Sequence, residues 1–484
     1  MSSYTATFRV DHFLGLYQDG DGIGKDPRYA LEAVNVETEG GVLSSVAKSQ
    51  HLIAELSSPI ATLMRLHRRW HVAEQERNVL VAASDGKLYW MLPGDLEWKE
   101  IAMPSGILRY QSDFWSWVTY EINPGGSDAP VDVLLLSNAM DGMVCLRGDD
   151  MSASVVNTPK KFGVIARYAE RILGGAIADD PDMLVYSAPF DPFDWAQNNA
   201  IPADGAGDVM QPSWDGDSFV ALTQFGSQLI ALKRNRVWRI LGTDPGMYVF
   251  KEQYGGGALI SRTLSVDGER IWMLGTDGLM VYDGLSVSPF ANVYAKKVFE
   301  RVNPASRDLA CACTYQNRYY CALPLDGAVH NNAVLIFNTK EQTWLLREGV
   351  TVEAFLPTEN GLFYTSATEP GRVWQWGENA VKSGAVAPAR WVSHWFDLDA
   401  KNAWKTGFTI YLAFEMEAPQ KVRVSIHTER KTRTKTLLVK KSGKPYKLVF
   451  GGGGKRFQLE INCFSSFAWR LIGGIQMEIG LDHE

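Results

Sequence analysis

The sequence predicts an all-β protein on three observations. Short apolar runs alternate with tight polar turns along most of the chain, as in residues 78–91, where two such runs flank Ser84-Asp85-Gly86. The chain holds 16 Trp, 18 Tyr, 21 Phe and 44 Gly, a composition that favours pleated strands and tight turns. Apolar residues recur at helical spacing only in residues 294–302 and 26–34, so we expect little helix elsewhere.

The hairpins recur at a spacing typical of propeller blades. One four-stranded blade takes roughly 40 to 50 residues. The sequence therefore predicts a β-propeller of six to seven blades over residues 61–385, and two unrelated β-sandwiches remain the alternative. Aligned on one strand each, the hairpins lie about 38 to 53 residues apart and begin near Leu80, Val133, Arg171, Phe219, Arg270, Leu309 and Glu353.

The segments on either side of this array differ from it. After a linker of small residues at 382–388, about seven alternating strands follow, which predicts a C-terminal β-sandwich over residues 386–484. Residues 1–60 carry short apolar groups around Phe13 and Ala33. We interpret residues 1–60 as an N-terminal arm with lead-in strands, one of which could close the last blade.

Charge and cysteine content narrow the class of protein. The net charge is −7 at pH 7, so any contact with nucleic acid must be local. Five cysteines without a CxxC pair are expected to be buried apolar side chains in a reducing compartment. The first residues lack the pattern of a secretory signal, and no apolar run approaches the roughly 20 residues of a membrane helix. We expect a protein made in the cytoplasm and not inserted in a membrane.

Catalytic motifs are missing from the sequence, which has no nucleophile elbow, phosphate-binding loop or zinc-protease helix. His67 and His71 have the spacing of a zinc pair on a helix, but their segment has the character of a strand. Paired carboxylates serve some propeller glycosidases, although turn chemistry accounts for the aspartates here. We expect no enzyme, no cofactor and no metal. These aspartates are Asp179, Asp180, Asp182, Asp191, Asp194, Asp215 and Asp217.

A basic cluster in the predicted sandwich is the candidate binding surface. Between residues 421 and 456 the chain has 12 Lys and Arg, opposed only by Glu429. Three interpretations stay open: contact with phosphates, docking on an acidic partner, and protection of exposed strand edges from aggregation. The candidate phosphate or partner contacts are Arg430, Lys431, Arg433, Lys435, Lys440, Lys441, Lys444 and Lys447.

Several phrases of the sequence, in their order, resemble one family. The chain is similar to the propeller-type tail hub or nozzle proteins of short-tailed bacteriophages, also known as packaged-DNA stabilisation proteins. The phrases are Gly15-Leu16 followed by residues 33–36 and 40–43, residues 185–195, residues 229–243 with 255–261 and 274–284, and residues 469–478.

The resemblance implies a structural role without covalent chemistry. Such proteins form a ring, typically a homohexamer, below the portal and its adaptor, where they extend the DNA channel, retain the packaged genome and let it pass during ejection. The implied partners are copies of the chain, the portal adaptor or head–tail connector, and DNA passing without sequence specificity; tail fibre, tailspike or needle proteins are further candidates. The implied location is the virion tail. The alternatives are another tail component, such as a distal tail or fibre-attachment protein, and a propeller that binds or cleaves glycans.

Overall fold

The structure is almost entirely β. The computed structural model describes residues 3–20, 24–46, 51–95, 97–104, 114–123, 129–197, 203–210, 216–255, 259–276, 278–290, 292–377, 388–416, 418–464 and 468–483. These ranges hold 39 strands, one short helix, α1 (Lys296–Glu300), and five single 3-10 turns. The turns are Glu39–Gly41, Glu74–Glu76, Pro245–Met247, Asn292–Tyr294 and Arg307–Leu309. The predicted all-β class is confirmed.

Five strands precede the first blade and pair with distant parts of the chain. They are β1 (Ser3–Val10), β2 (Ala30–Val34), β3 (Val36–Glu37), β4 (Ser44–Ser45) and β5 (His51–Glu55). β1, β3 and β4 belong to the C-terminal sandwich, β5 belongs to the last blade, and β2 joins the two domains.

Blades 1 to 3 are antiparallel four-stranded sheets with their strands in chain order. Blade 1 contains β6 (Thr62–His67), β7 (Asn78–Ser84), β8 (Lys87–Met91) and β9 (Lys99–Ile101). Blade 2 contains β10 (Ser116–Ile122), β11 (Val131–Asn138), β12 (Gly142–Arg147) and β13 (Ala153–Val156). Blade 3 contains β14 (Val164–Tyr168), β15 (Arg171–Gly175), β16 (Met183–Tyr186) and β17 (Gly207–Met210).

Blades 4 to 7 continue the same plan. Blade 4 contains β18 (Phe219–Phe225), β19 (Gln228–Lys233), β20 (Arg236–Leu241) and β21 (Val249–Gly255). Blade 5 contains β22 (Leu259–Val266), β23 (Ile271–Gly275), β24 (Gly278–Tyr282) and β25 (Val287–Pro289). Blade 6 contains β26 (Cys311–Tyr315), β27 (Arg318–Leu323), β28 (Ala333–Asn338) and β29 (Thr343–Glu348). Blade 7 contains β30 (Ala354–Thr358), β31 (Gly361–Ser366), β32 (Glu369–Trp376) and the N-terminal strand β5.

The blades form a closed ring. From blade 2 to blade 7, the first strand of each blade contacts the first strand of the next. β30 of blade 7 then contacts β6 of blade 1, and β6 also contacts β11 of blade 2. The fourth strand of blade 7 is β5, in which Glu55 pairs with Arg372 of β32. A β-propeller of seven blades is therefore present, within the range of six to seven that the hairpin spacing predicted.

The predicted hairpin at residues 78–91 shows why the blades have tight turns. β7 and β8 pair from Ser84 with Lys87, leaving a two-residue turn. Asp85 and Gly86 in that turn have φ angles of 51° and 68°. Positive φ at both central residues defines the turn type whose twist matches that of the flanking strands, and Asp-Gly is well suited to it.

The C-terminal domain is a sandwich of two sheets. Its strands are β33 (Ala389–Ser393), β34 (Ala403–Met416), β35 (Gln420–Thr428), β36 (Thr432–Val439), β37 (Pro445–Gly454), β38 (Phe457–Cys463) and β39 (Trp469–His483). One sheet has the order β3-β4-β39-β34-β37, with β1 also paired to β39. The other has the order β2-β33-β38-β35-β36. A C-terminal β-sandwich was predicted, and four N-terminal strands complete it.

A continuous sheet joins the propeller to the sandwich. β2 pairs in parallel with β29 of blade 6 through Val34 and Leu346, and on its other side it pairs antiparallel with β33. Blade 6 and one sheet of the sandwich thus form a single sheet of nine strands. One apolar core runs through both domains, from Trp272 and Trp344 in the blades to Trp391 and Phe408 in the sandwich.

A buried ion pair fixes the same junction. The Arg347 side chain is 1% exposed, donates to the Val36 carbonyl and pairs with the Glu37 carboxylate, which also pairs with Arg318 at 3.2 Å. Burial lowers the pKa of Arg347 from its ordinary value. Because a buried cation is costly without a partner, Glu37 and Arg347 depend on each other.

The N-terminal segment reaches blade 6 at Gly15. Gly15 has a φ of 79°, and a Cβ atom there would lie 2.4 Å from the Trp344 carbonyl oxygen. The next residue, Leu16, donates its N–H to the same oxygen at 2.9 Å. Only glycine fits this approach, because it has no Cβ and tolerates positive φ.

The two segments with helical spacing behave differently. Residues 294–302 contain α1, as expected from the spacing. The helix prediction for residues 26–34 is wrong, since this stretch contains the strand β2. Ala30, Ala33 and Val34 are buried because β2 has a neighbouring strand on each side and packs between two domains. Burial on both faces removes the strand alternation that would have identified it.

Candidate interaction surfaces

The predicted basic cluster lies at the end of the sandwich that is farthest from the propeller. β36 is the last strand of the nine-stranded sheet, and β37 is the last strand of the other sheet. All eight predicted side chains are exposed. We call them the basic edge: Arg430 and Lys431 in the β35–β36 turn, Arg433 and Lys435 on β36, Lys440, Lys441 and Lys444 in the β36–β37 loop, and Lys447 on β37.

Two cations of the basic edge point toward the core side of their strand. Arg433 pairs with Ile426 and Lys435 with Val424, and paired residues of neighbouring antiparallel strands lie on the same face. Lys435 Nζ lies 5.6 Å from the centre of the Phe450 ring. Inward-pointing charges on an edge strand prevent another strand from adding there. These two residues therefore fit the edge-protection interpretation.

Other members are held by aromatic side chains. The Arg430 guanidinium lies 4.3 Å from the centre of the Trp404 ring, and Lys447 Nζ lies 5.7 Å from that of Tyr411. The backbone N–H groups of Lys440 and Lys441 donate to the Tyr446 hydroxyl at 3.0 and 3.1 Å. These contacts fix the loops, because cation–π and backbone contacts limit their freedom.

The remaining charge of the basic edge faces solvent. Lys431, Lys440, Lys441 and Lys444 form no ion pair with any residue that the structure describes. The nearby carboxylate, Glu429, is paired with Arg456 at 3.1 Å. The basic edge can therefore attract an anionic surface.

The junction between the domains contains a cleft of about 420 Å³, lined among others by Arg301 and Arg390. Both cations are neutralised. Arg301 pairs with Asp326 and Glu348 at 2.6 and 2.7 Å, and Arg390 pairs with Glu32 and Glu460 at 2.6 and 2.9 Å. The two arginines of the cleft are thus already paired with carboxylates, as is usual in a structural contact between domains.

The histidines considered as a zinc pair do not converge. His67 Nδ1 lies 2.8 Å from Asn78 Oδ1, whereas His71 Nε2 lies 3.4 Å from the Ala129 carbonyl oxygen. Among the described residues there is no group of three or more His, Cys, Asp or Glu side chains that could hold a metal ion.

The aspartates considered as glycosidase carboxylates have separate structural partners. Asp182 is buried in an ion pair with Lys233, and Asp180 pairs with Lys160 at 2.7 Å. Asp191 accepts from the N–H of Phe193, and Asp194 from that of Ala196, both at 2.9 Å. Such bonds are typical of turns. Asp217 accepts from the N–H of Asn235 at 3.0 Å, and Asp215 lies outside the described residues.

The five cysteines are free and buried, as predicted. Burial raises the pKa of Cys145 and Cys463 to about 12 and that of Cys311 to about 11. It also raises the pKa of Cys313 and Cys321. Thiols with raised pKa values stay protonated at neutral pH and are poor nucleophiles and ligands.

A second surface was not predicted from the sequence. In each blade the first-to-second and third-to-fourth strand connections emerge on one side of the ring, because consecutive strands are antiparallel. We call this side the front face. On blades 3, 4 and 5, the third-to-fourth connections end in exposed apolar side chains: Phe190 is 74% exposed, Met247 72% and Leu285 74%.

Direct contacts place these three connections side by side. The Phe190 N–H donates to the Glu170 carbonyl within blade 3 at 2.8 Å. The Tyr168 hydroxyl contacts the Gly242 carbonyl at 2.8 Å, which joins blade 3 to blade 4. Arg239 of blade 4 donates to the Gly284 carbonyl of blade 5 at 3.1 Å.

Carboxylates surround the apolar tips. Asp191, Asp194, Asp244 and Asp283 cap their own turns by accepting backbone N–H groups, and none forms an ion pair with a described residue. We call these four aspartates, with Phe190, Phe193, Met247 and Leu285, the apolar-acidic patch. The sequence contains a signal for this patch. In each of the three loops a large apolar residue follows Asp-Pro or Asp-Gly by one or two positions, namely Phe193, Met247 and Leu285.

Comparisons with known proteins return fold neighbours alone. No family model matches the chain, and no curated protein matches it. Among solved structures, BBS1N in complex with ARL6DN is 9% identical, with a TM-score of 0.43 over 69% of this chain and 98% of that chain. Dihydro-heme d1 dehydrogenase NirN is 11% identical, with a TM-score of 0.39 over 81% of this chain and 80% of that one.

A computationally designed protein, Ika8, is 10% identical, with a TM-score of 0.39 over 68% of this chain and 100% of its own. The seven blades are defined by the strand pairing.

In the described part of the chain, no helix has the length and apolar character needed to cross a membrane.

Proposed function

We propose that the chain is a non-enzymatic structural subunit of a short-tailed bacteriophage tail, of the hub or nozzle kind. In this proposal copies of the chain form a ring, with six as the expected number, below the portal adaptor. The ring extends the DNA channel, retains the packaged genome and lets it pass during ejection.

One observation carries most of the proposal: the nine-stranded sheet that runs from blade 6 through β2 to β36. Two domains joined by a linker alone would hinge under load. Here the backbone hydrogen bonds of β2 and a shared apolar core join them. A rigid block of this kind suits a subunit that must keep its shape beside packaged DNA.

The phrases that resemble the phage proteins lie in the blades, near the apolar-acidic patch, and in the core of the sandwich. Residues 185–195 contain part of β16 and the connection that carries Phe190 and Phe193. Residues 229–243 and 274–284 cover strands of blades 4 and 5 that lead to the other tips of the apolar-acidic patch. Residues 469–478 lie in β39, which pairs with β1, β4 and β34. The resemblance thus includes Phe190 and Phe193 of the patch as well as the core, whereas Met247 and Leu285 lie outside the phrases.

Net charge supports passage of DNA without adhesion. The chain carries a net charge of −7. A lumen lined by an acidic surface repels the phosphate backbone, whereas a basic lumen would bind it in a salt-dependent manner. We therefore propose that the basic edge faces away from the lumen.

Electron microscopy of the parent particle tests the proposal. The expected result is a six-fold ring, directly below the portal adaptor, whose density accommodates seven blades and a sandwich per subunit. Density for the chain at the distal tip, or at the base of fibres, would indicate another tail component. Absence of the chain from purified particles, or a strongly basic lumen, would contradict the proposal.

A further inference from the structure

The apolar-acidic patch and the basic edge have complementary chemistry. The patch combines four exposed apolar side chains with carboxylates that form no ion pair with a described residue. The basic edge combines solvent-facing ammonium groups with an exposed apolar side chain on β36, since Leu438 is 44% exposed. Exposed apolar side chains grouped in this way mark interaction sites, and opposite charges around them select the partner.

The two surfaces cannot meet within one chain. The apolar-acidic patch lies on the front face of blades 3 to 5. The basic edge lies five strands beyond blade 6, which corresponds to roughly 24 Å at the usual strand spacing. It therefore extends outward from the rim of the propeller, so that the surface it complements must be supplied by another molecule.

The backbone conformation of Phe190 supports a functional role for the apolar-acidic patch. Its φ is 63°, in the left-handed region that a bulky residue rarely adopts. The backbone holds it there through the bond from its N–H to Glu170, and the ring projects into solvent. Backbone strain of this kind is concentrated at functional sites.

We propose that the basic edge of one copy docks on the apolar-acidic patch of the next copy. The contact is head-to-tail, because each copy contributes a different surface. Head-to-tail contacts close into rings when the rotation between copies permits it. This inference rests on the proposed function and specifies which surfaces would build the ring.

A second copy explains the basic edge better than DNA does. Phosphate binding needs cations alone, whereas Leu438 adds an exposed apolar side chain on the outer face of β36. Arg433 and Lys435 lie on the core-side face of β36, so the eight cations do not present a single face to a duplex. DNA binding by the basic edge is the competing outcome of the test.

The test uses two variants of the full chain that alter only exposed side chains. The patch variant carries Phe190→Lys, Met247→Lys and Leu285→Lys. The edge variant carries Lys431→Glu, Lys440→Glu and Lys441→Glu. Each juxtaposes like charges in the proposed contact, so we expect self-association to weaken on the order of 100-fold in sedimentation velocity.

Mixing the two variants distinguishes a head-to-tail contact from a symmetric one. The patch variant keeps an intact edge and the edge variant keeps an intact patch, so a mixture forms one working contact and stops at heterodimers. Combining all six substitutions in one chain places Lys opposite Glu, and we expect at least a tenfold recovery over either variant alone.

The control variant carries Met140→Lys and Val329→Lys. These side chains are 50% and 63% exposed and lie in second-to-third strand connections, on the side opposite the front face. We expect the control to associate like the unmodified chain. Far-UV circular dichroism and thermal unfolding of every variant exclude misfolding as the cause of a loss.

The outcomes separate this inference from the proposed function. If the unmodified chain forms rings and both variants form them equally well, the inference is wrong and the proposed function stands. The same holds if the edge variant loses binding to a short DNA duplex while retaining self-association. If the unmodified chain sediments as a monomer at every concentration and is absent from the particle, the proposed function fails as well.

Discussion

The two sides of the sandwich meet their surroundings in opposite ways. Toward the propeller, β33 pairs with β2, the apolar core is shared, and the Arg347 cation is buried beside Glu37. Away from the propeller, β36 and β37 end in solvent with exposed cations. The junction is thus a permanent contact between the domains. The basic edge is stable in solvent without any contact and is available to a partner.

The largest expected effect comes from opening the junction. Trp391→Ala removes a side chain that is 1% exposed and packs edge-on against Phe13 at 5.5 Å. We expect a loss of about 3–5 kcal/mol in the free energy of unfolding, because a large cavity remains. Trp70→Ala, at a side chain that is 40% exposed, is the matched control for denaturant unfolding. Equal losses in both variants would contradict a buried junction.

Breaking the ion pair at the junction is expected to cost nearly as much. Arg347→Met leaves the Glu37 carboxylate buried with Arg318 alone. We expect a loss of about 3 kcal/mol, because the mostly buried Glu37 carboxylate loses one of its two cations and the Val36 carbonyl loses its donor. The double variant Arg347→Met with Glu37→Gln should recover part of it. No recovery in this double-mutant cycle would show that the two side chains are not coupled.

The junction should also respond to acid through His394. This residue is fully buried, and its ring centre lies 6.2 Å from that of Tyr17. Burial, with Lys25 and Lys297 nearby, lowers the pKa of His394 from 6.5 to about 4. As the pH falls, the unfolded chain takes up a proton near pH 6.5, before the folded protein does.

Stability is therefore complete above about pH 6.5 and declines as the pH falls toward 4. We expect His394 to account for about 2 kcal/mol lost between pH 7 and pH 5. Urea unfolding at both pH values measures it, with His394→Gln as the non-titrating control. An identical pH dependence in His394→Gln would assign the loss to other groups.

The smallest effect on stability is expected at the basic edge. Arg433→Val with Lys435→Val should change the free energy of unfolding by no more than about 1 kcal/mol, because both side chains are exposed. Aggregation should increase, since the inward charges that protect the edge are gone. Light scattering during storage measures this. A variant as soluble as the unmodified chain would leave these two cations without a protective role.

The local features of the fold were predictable from the sequence. The Asp85-Gly86 turn, the hairpin repeat and the strand character of the C-terminal region depend on nearby residues. The contribution of the first strands to the sandwich was not predictable, because Ser44 pairs with Arg470 without any local signal of it. β2 was mistaken for a helix for a related reason, since burial by two distant neighbours determines its conformation.

The candidate surfaces show the same division. Charge density alone identified the basic edge between residues 421 and 456. The orientation of Arg433 and Lys435 required the register of β36 against β35. The apolar-acidic patch was missed because it has one tip on each of three blades, and the packing of consecutive blades brings the tips to the same side of the ring.

The pairing of β1 with β39 makes folding depend on the whole chain. Ser3 lies beside Asp482, and β5 completes blade 7 beside residues translated more than three hundred positions later. Contacts between residues so far apart in the sequence form slowly, because a long loop must close before they can form. A growing or truncated chain lacks the partners of its own first strands, so that neither the ring of blades nor the sandwich can be completed. Only chains that contain both β1 and β39 can complete the fold, and the topology itself would then keep incomplete subunits out of an assembly.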